Sequence, residues 1–207
     1  MYRSLILAHS KHEKTMRYLL GAMLIATILI GCSKGNDAPA VKKPGIGTTW
    51  VYRYTKFLPV GSIQSRYNIT YKITAQQSHG GENWFAITDS SGTVVRLLNV
   101  KADGLYQFIN NNKSLLCKDP ATVGDSYLGQ NEQGDITFTV KDKAIDIGTP
   151  GGDQNVNRYE GFQGGLIKDV IWYNPTAWIV REDIYVLNGL TQVNSISTRI
   201  ELVSIAY

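Results

Sequence analysis

Between Tyr67 and Thr74 every second residue is apolar: Tyr67, Ile69, Tyr71 and Ile73 alternate with Asn68, Thr70, Lys72 and Thr74. Successive side chains on a strand point to opposite faces, so this run has one dry face and one wet one, as in an antiparallel sheet. The same period places Trp50, Tyr52 and Tyr54 on one face, and again Ile136, Phe138 and Val140. Turn signals separate the runs, among them Gly80-Gly81, Asp103-Gly104, Gly164-Gly165 and Asn188-Gly189. Their spacing of roughly 8–12 residues is that of sandwiches and barrels. Asn188-Gly189 is the strongest hairpin signal and joins Trp178–Leu187 to Thr191–Ala206. The pattern pauses at Val123-Gly124-Asp125, and Thr149 to Gln154 reads as the longest Gly-rich loop. No segment past residue 45 sustains a helical period. The expected fold is all-β, a single domain over 45–207 of about ten antiparallel strands, with a β-sandwich as the alternative to a barrel.

The start of the chain follows different rules. Arg17 precedes an apolar run from Tyr18 to Ile30, and Gly31-Cys32 closes it. A basic residue, an apolar stretch and a small residue in that order form the pattern of a secretory leader. The 15 residues from Tyr18 to Cys32 would reach roughly 22 Å as a helix, short of the ~30 Å hydrocarbon core. Leu29-Ile30-Gly31-Cys32 resembles the lipobox of bacterial lipoproteins. That resemblance implies a helical signal peptide over 1–31, with Leu29, Ile30 and Gly31 read by the signal peptidase. It also implies that Cys32 carries a diacylglyceryl group as the first residue of the mature chain. Two acyl chains suffice for stable anchoring, so the bilayer becomes a partner through Cys32. Met16-Arg17 makes an ordinary n-region, whereas residues 1–15 fit none, and translation is expected to start at Met16. Ser33 in place of aspartate favours the outer membrane by the enteric sorting rule of that family. Residues 32–44, rich in Gly, Asn, Asp, Ala, Pro and Lys, read as a flexible tether.

Removing the leader changes the composition that matters. Residues 1–31 hold four of the 21 basic and one of the 17 acidic side chains, which leaves 17 against 16, about +1. With no basic face, counterion-release binding to nucleic acid has no electrostatic source. One histidine, His79, and one unmodified cysteine, Cys117, remain, too few for a His/Cys metal site. No metal and no cofactor are expected. Cys117, in Ser114-Leu115-Leu116-Cys117, reads as a buried small hydrophobe.

Catalytic constellations are equally sparse. His79 falls in the apparent hairpin tip Gln76-Gln77-Ser78-His79-Gly80-Gly81, where neither an orienting carboxylate nor a nucleophile is at hand. Glu182 and Asp183 are neighbours on a strand and so face opposite ways, as solvated charges that share no substrate. Asp142, Asp146 and Asp153 around the Gly-rich loop match no calcium-loop spacing, and Gly148 to Gly152 lacks the lysine and helix of a phosphate loop. The chain is expected not to be an enzyme. The rings stand out instead: ten tyrosines and all four tryptophans follow the leader. Trp50, Trp84, Trp172 and Trp178 are the candidate ligand-binding residues, and the competing assignment for them is core.

Gly47-Thr48-Thr49-Trp50-Val51-Tyr52, Val123-Gly124-Asp125, and Trp172-Tyr173 followed by Ile179-Val180-Arg181 resemble segments of uncharacterised envelope lipoproteins of the Bacteroidota. In the late segment Ala177-Trp178 stand where those proteins carry a glycine. The resemblance implies a curved antiparallel sheet wrapped into a half-barrel, similar in outline to the lipoprotein carriers LolA and LolB. Gly47-x-x-Trp50 is also similar to the lipocalin opening, one residue longer. Neither resemblance brings a catalytic residue. The expected function is non-enzymatic binding of an apolar or glycan ligand on an aromatic-rich β surface in the cell envelope. The alternatives are an envelope assembly or accessory protein acting by contact and, last, a hydrolase. Radiolabelled palmitate should mark the wild-type chain, and Cys32→Ala should abolish the label and release the protein from the envelope.

Overall fold

The computed structural model describes residues 41–189 and 192–207. The lipobox residues Leu29, Ile30, Gly31 and Cys32, the leader and most of the tether lie outside them. Lys42–Tyr207 forms one compact unit, and among the described residues there is no helix.

Strand and turn chemistry produce an up-and-down meander that starts in the middle of its own sheet. Six strands run outward one way: β1 (Thr49–Phe57), β2 (Ile63–His79), β3 (Glu82–Thr88), β4 (Val94–Lys101), β5 (Gly104–Ile109) and β6 (Asn112–Lys118). Six more return from the far edge: β7 (Ser126–Asn131), β8 (Gly134–Thr149), β9 (Gly152–Gln163), β10 (Leu166–Asn174), β11 (Trp178–Leu187) and β12 (Asn194–Ala206). The last strand pairs antiparallel with the first, giving the order β6-β5-β4-β3-β2-β1-β12-β11-β10-β9-β8-β7. The result is a single antiparallel sheet of twelve strands, nearly closed into a barrel.

Twelve strands correct the expectation of about ten. β7 lies in Ser126-Tyr127-Leu128-Gly129-Gln130-Asn131, where a glycine and two amides break the apolar alternation. Two other expectations change in length. The Gly-rich loop is only the tight turn Pro150-Gly151 between β8 and β9. The Asn188-Gly189 hairpin is real, but β12 begins at Asn194, and Asn188 N donates to Val193 O at 2.9 Å.

Closure depends on the two edge strands, β6 and β7, which share no ladder. Side chains bridge the gap instead. Tyr127 Oη donates to Leu116 O at 2.9 Å, Gln130 N donates to Ser114 Oγ at 2.7 Å, and Gln107 Nε2 donates to Gln130 O at 2.7 Å. Tyr159 Oη, from β9, adds a bond to Lys118 O at 2.6 Å. The edges come so close at Gly129 that a Cβ there would stand 2.8 Å from Leu115 O and 2.9 Å from the Phe138 ring.

The β8–β9 hairpin is longer than its neighbours and bends at a bulge around Asp142, where Ala144 takes φ 52°. Its tip passes β10 and β11 and reaches β12, where Gly151 N donates to Leu202 O at 3.2 Å. Val156 is buried there, and Ile145 and Ile147 pack against the core, so the hairpin leans over one end of the barrel. The interior is filled by Trp50, Phe138, Tyr159 and Tyr173 among others.

Gly129→Ala should lower unfolding free energy by about 1–3 kcal/mol through overpacking at the seam. Gly148→Ala, at an exposed strand position whose nearest neighbour would be 3.8 Å away, should leave it nearly unchanged. Urea denaturation of both variants checks the pair.

Candidate functional site

The interior is divided between rings and polar groups. At the end under the β8–β9 hairpin, Trp50 and Trp178 pack at 5.6 Å, Phe85 meets Trp178 at 5.8 Å, and Tyr52 meets Tyr71 at 5.8 Å. Their polar handles are engaged by backbone: Trp50 Nε1 donates to Ala177 O at 2.9 Å and Tyr52 Oη to Ile179 O at 2.7 Å. The space left beside them is about 30 Å³, room for roughly one water. Burial pushes the Tyr52 hydroxyl well above its ordinary pKa, so it stays a neutral donor.

The structure therefore brings two of the four candidate tryptophans together and sets the others apart. Trp84 packs on Phe108 at 5.5 Å beneath Lys101, and its Nε1 donates to His79 O at 3.0 Å. Trp172 lies under Arg181, whose guanidinium carbon is 4.4 Å from the ring centre. Arg181 and Arg199 both hold Asp183: Arg181 Nη2 donates to Oδ2 at 2.7 Å, and Arg199 Nε donates to Oδ1 at 2.8 Å. That clamp braces β11 against β12.

Beyond the rings, Arg96 of β4 and Glu182 of β11 meet across the interior at 2.5 Å. Burial works against the Arg96 charge, and the Glu182 carboxylate more than offsets it, so the guanidinium pKa rises. Past this pair opens a cavity of about 280 Å³. Leu116, Phe138, Ile171 and Ile184 give it apolar surface. Gln107, Gln130, Asn131, Glu132 and Asp169 give it a polar wall.

One polar group in that wall is sparsely matched. Gln130 reaches the wall through its backbone, where its O accepts from Gln107 Nε2 at 2.7 Å, while its side chain turns to the outer face and Nε2 donates to Asp135 Oδ1 at 2.9 Å. Asp169 accepts one side-chain bond, from Asn131 Nδ2 at 3.2 Å. Burial first, and the nearby Glu182 charge second, push the Asp169 carboxyl up to about 6.

Sequence reasoning missed this site. Glu182 and Asp183 do face opposite ways, but they are 6 % and 1 % exposed, which corrects their reading as solvated charges. The available signal was their adjacency within an otherwise apolar strand: one of the two had to point inward. Arg96, in Val94-Val95-Arg96-Leu97-Leu98, carried the same signal. Among the other residues weighed, Cys117 is buried and burial pushes its thiol up. His79 sits at the end of β2 against Phe108 at 5.0 Å. Asp142 pairs with Arg158 at 2.9 Å, and Asp146 accepts from Asn155 at 2.8 Å.

No family model, curated protein or solved structure matches the chain. The outline of a curved, nearly closed antiparallel sheet rests on the geometry above.

A carboxyl raised in the folded state binds its proton more tightly there than in the unfolded chain. Stability therefore falls as pH rises from about 4 through about 6. Asp169→Asn should stabilise the protein at pH 7.5 by up to about 3 kcal/mol, with the difference vanishing below pH 4. Thermal melts across that range measure it.

Proposed function

We propose that this chain is a lipid-anchored envelope protein whose barrel binds a small polar ligand without transforming it. The observation that carries the reading is the cavity of about 280 Å³ behind the Arg96–Glu182 pair. Small-molecule sites begin at ~300 Å³, so this volume suits a ligand of monosaccharide size. Of the two ligand classes expected from the sequence, the polar wall favours the glycan. Gln107 and Asn131 are planar amides that match the paired donors and acceptors of sugar hydroxyls. Phe138 and Ile171 offer apolar surface for a ring face. An acyl chain would bury Asp169 without giving it a further partner, which is unfavourable.

The tryptophans belong to the fold in this reading. Trp50 and Trp178 occupy their own space, and Trp84 and Trp172 are covered by Lys101 and Arg181. Anchoring is proposed to follow from Cys32 and to place the barrel outside the cytoplasm. Isothermal titration of the full chain in detergent against a monosaccharide panel tests the cavity. Ile184→Trp, which fills it, should abolish any binding found while the melting temperature stays close to wild type. Binding that survives Ile184→Trp would place the ligand elsewhere.

A further inference from the structure

The register of β2 with β3 begins only at Lys72↔Thr88, whereas its register with β1 runs on to Ile63. From Ile63 to Tyr71 the strand therefore has β1 on one side and, among the described residues, no strand on the other. Ile73 N donates to Thr48 O and Ile73 O accepts from Gly47 N, both at 2.9 Å and both on the β1 side. Lys72 O turns the other way and accepts from Thr88 Oγ1 at 3.4 Å. Alternate residues of an antiparallel strand address opposite neighbours. Gln64, Arg66, Asn68 and Thr70 thus direct their N–H and C=O groups to the open side, and all four are exposed. Proline, bulges, lysines or a covering element blunt most native edge strands. Ile63–Tyr71 has no proline, no glycine and one charge, Arg66, and its register with β1 is unbroken from Ser65 to Lys72.

We infer that this edge pairs antiparallel with the same edge of a second copy of the chain, about a two-fold axis at Tyr67. That register sets Arg66 opposite Asn68 and Gln64 opposite Thr70, so all four open residues gain a ladder partner. On the other face Tyr67 meets its counterpart and Ile63 meets Tyr71, which covers two side chains that stand 47 % and 48 % exposed at Tyr67 and Ile63. The neighbouring registers are worse. One step sets Arg66 against Arg66, a destabilising like-charge pair. The opposite step requires Lys72, which is already laddered to Thr88. An unrelated extended segment would find the same backbone groups, but the side-chain match is to the chain itself. The cavity takes no part in this pairing.

The test oxidises two single-cysteine variants of the full chain in detergent and resolves them on non-reducing gels. Tyr67→Cys should give a covalent dimer, because facing Cα atoms of such a pair stand about 4.5 Å apart, within disulfide reach. Thr70→Cys should not, since its two copies would lie roughly 20 Å apart; the native cysteines are common to both variants. Sedimentation equilibrium then follows the dimer across a micromolar concentration series. Asn68→Arg, which opposes Arg66 twice per dimer, should weaken association about tenfold, and Asn68→Glu should tighten it by a similar factor. Melting curves show that both variants of this exposed residue are folded. A wild-type chain that stays monomeric throughout would overturn the pairing. So would equal crosslinking of Tyr67→Cys and Thr70→Cys, or a dimer indifferent to the charge placed at residue 68.

Discussion

The pairing of β1 with β12 is the constraint from which the rest of the molecule follows. A chain that begins and ends at the centre of its sheet leaves its two middle strands, β6 and β7, as the free edges. Free edges expose unpaired backbone groups, which must be paired, covered or solvated. Here the connection between them is short, so the edges are brought face to face, but without a common ladder. Ser114, Gln107, Tyr127 and Tyr159 supply the missing donors and acceptors. A seam made of side chains cannot be purely apolar. The Gln107 amide stands inside the barrel, and it and the Gln130 backbone belong to both the seam and the cavity. The polar wall of the candidate site is thus a consequence of how the barrel closes.

Much of this was legible in the sequence, and the limits are physical. Period-two runs found the strands because their inward faces are apolar. β7 escaped because the seam needs a glycine where a pattern would need a large side chain: Gly129 touches both Leu115 O and Phe138. The turn of the β8–β9 hairpin read as a long loop because Gly148, Gly151 and Gly152 lack the apolar alternation, although Gly148 and Gly152 are strand residues. Inward charges are harder still. Arg96, Asp169 and Glu182 sit on three different strands, and only the closed sheet brings them to one space. A period assigns a face to each residue, but it carries no information about which strand lies opposite.

Trp178 shows how a buried ring can hold a strained backbone. Its φ of 66° lies in the left-handed region that favours glycine. A bulky residue in that region costs roughly 1–2 kcal/mol. Burying its ring returns more, about 1.5–3 kcal/mol for a large apolar side chain. The turn before it is fixed independently, since Asn174 Oδ1 accepts from Thr176 N at 2.7 Å and Trp50 Nε1 donates to Ala177 O at 2.9 Å. The strained backbone is therefore held from both sides, and the indole fills the end of the barrel against Trp50 and Phe85. A ring that offsets backbone strain in this way is part of the core.

The contrast between the two halves of the interior carries the functional argument. Around Trp50 and Trp178 every polar handle named above has a partner and the remaining space holds about one water. Across the Arg96–Glu182 pair, the Asp169 carboxyl has one side-chain bond, at 3.2 Å, and is held at about 6. Desolvating a carboxylate costs stability, and an apolar residue there would remove that penalty. A barrel able to pack one half this completely has no packing reason to leave the other half open. Local rules broken at one place, while neighbouring segments obey them, are the physical mark of a site shaped by something other than stability.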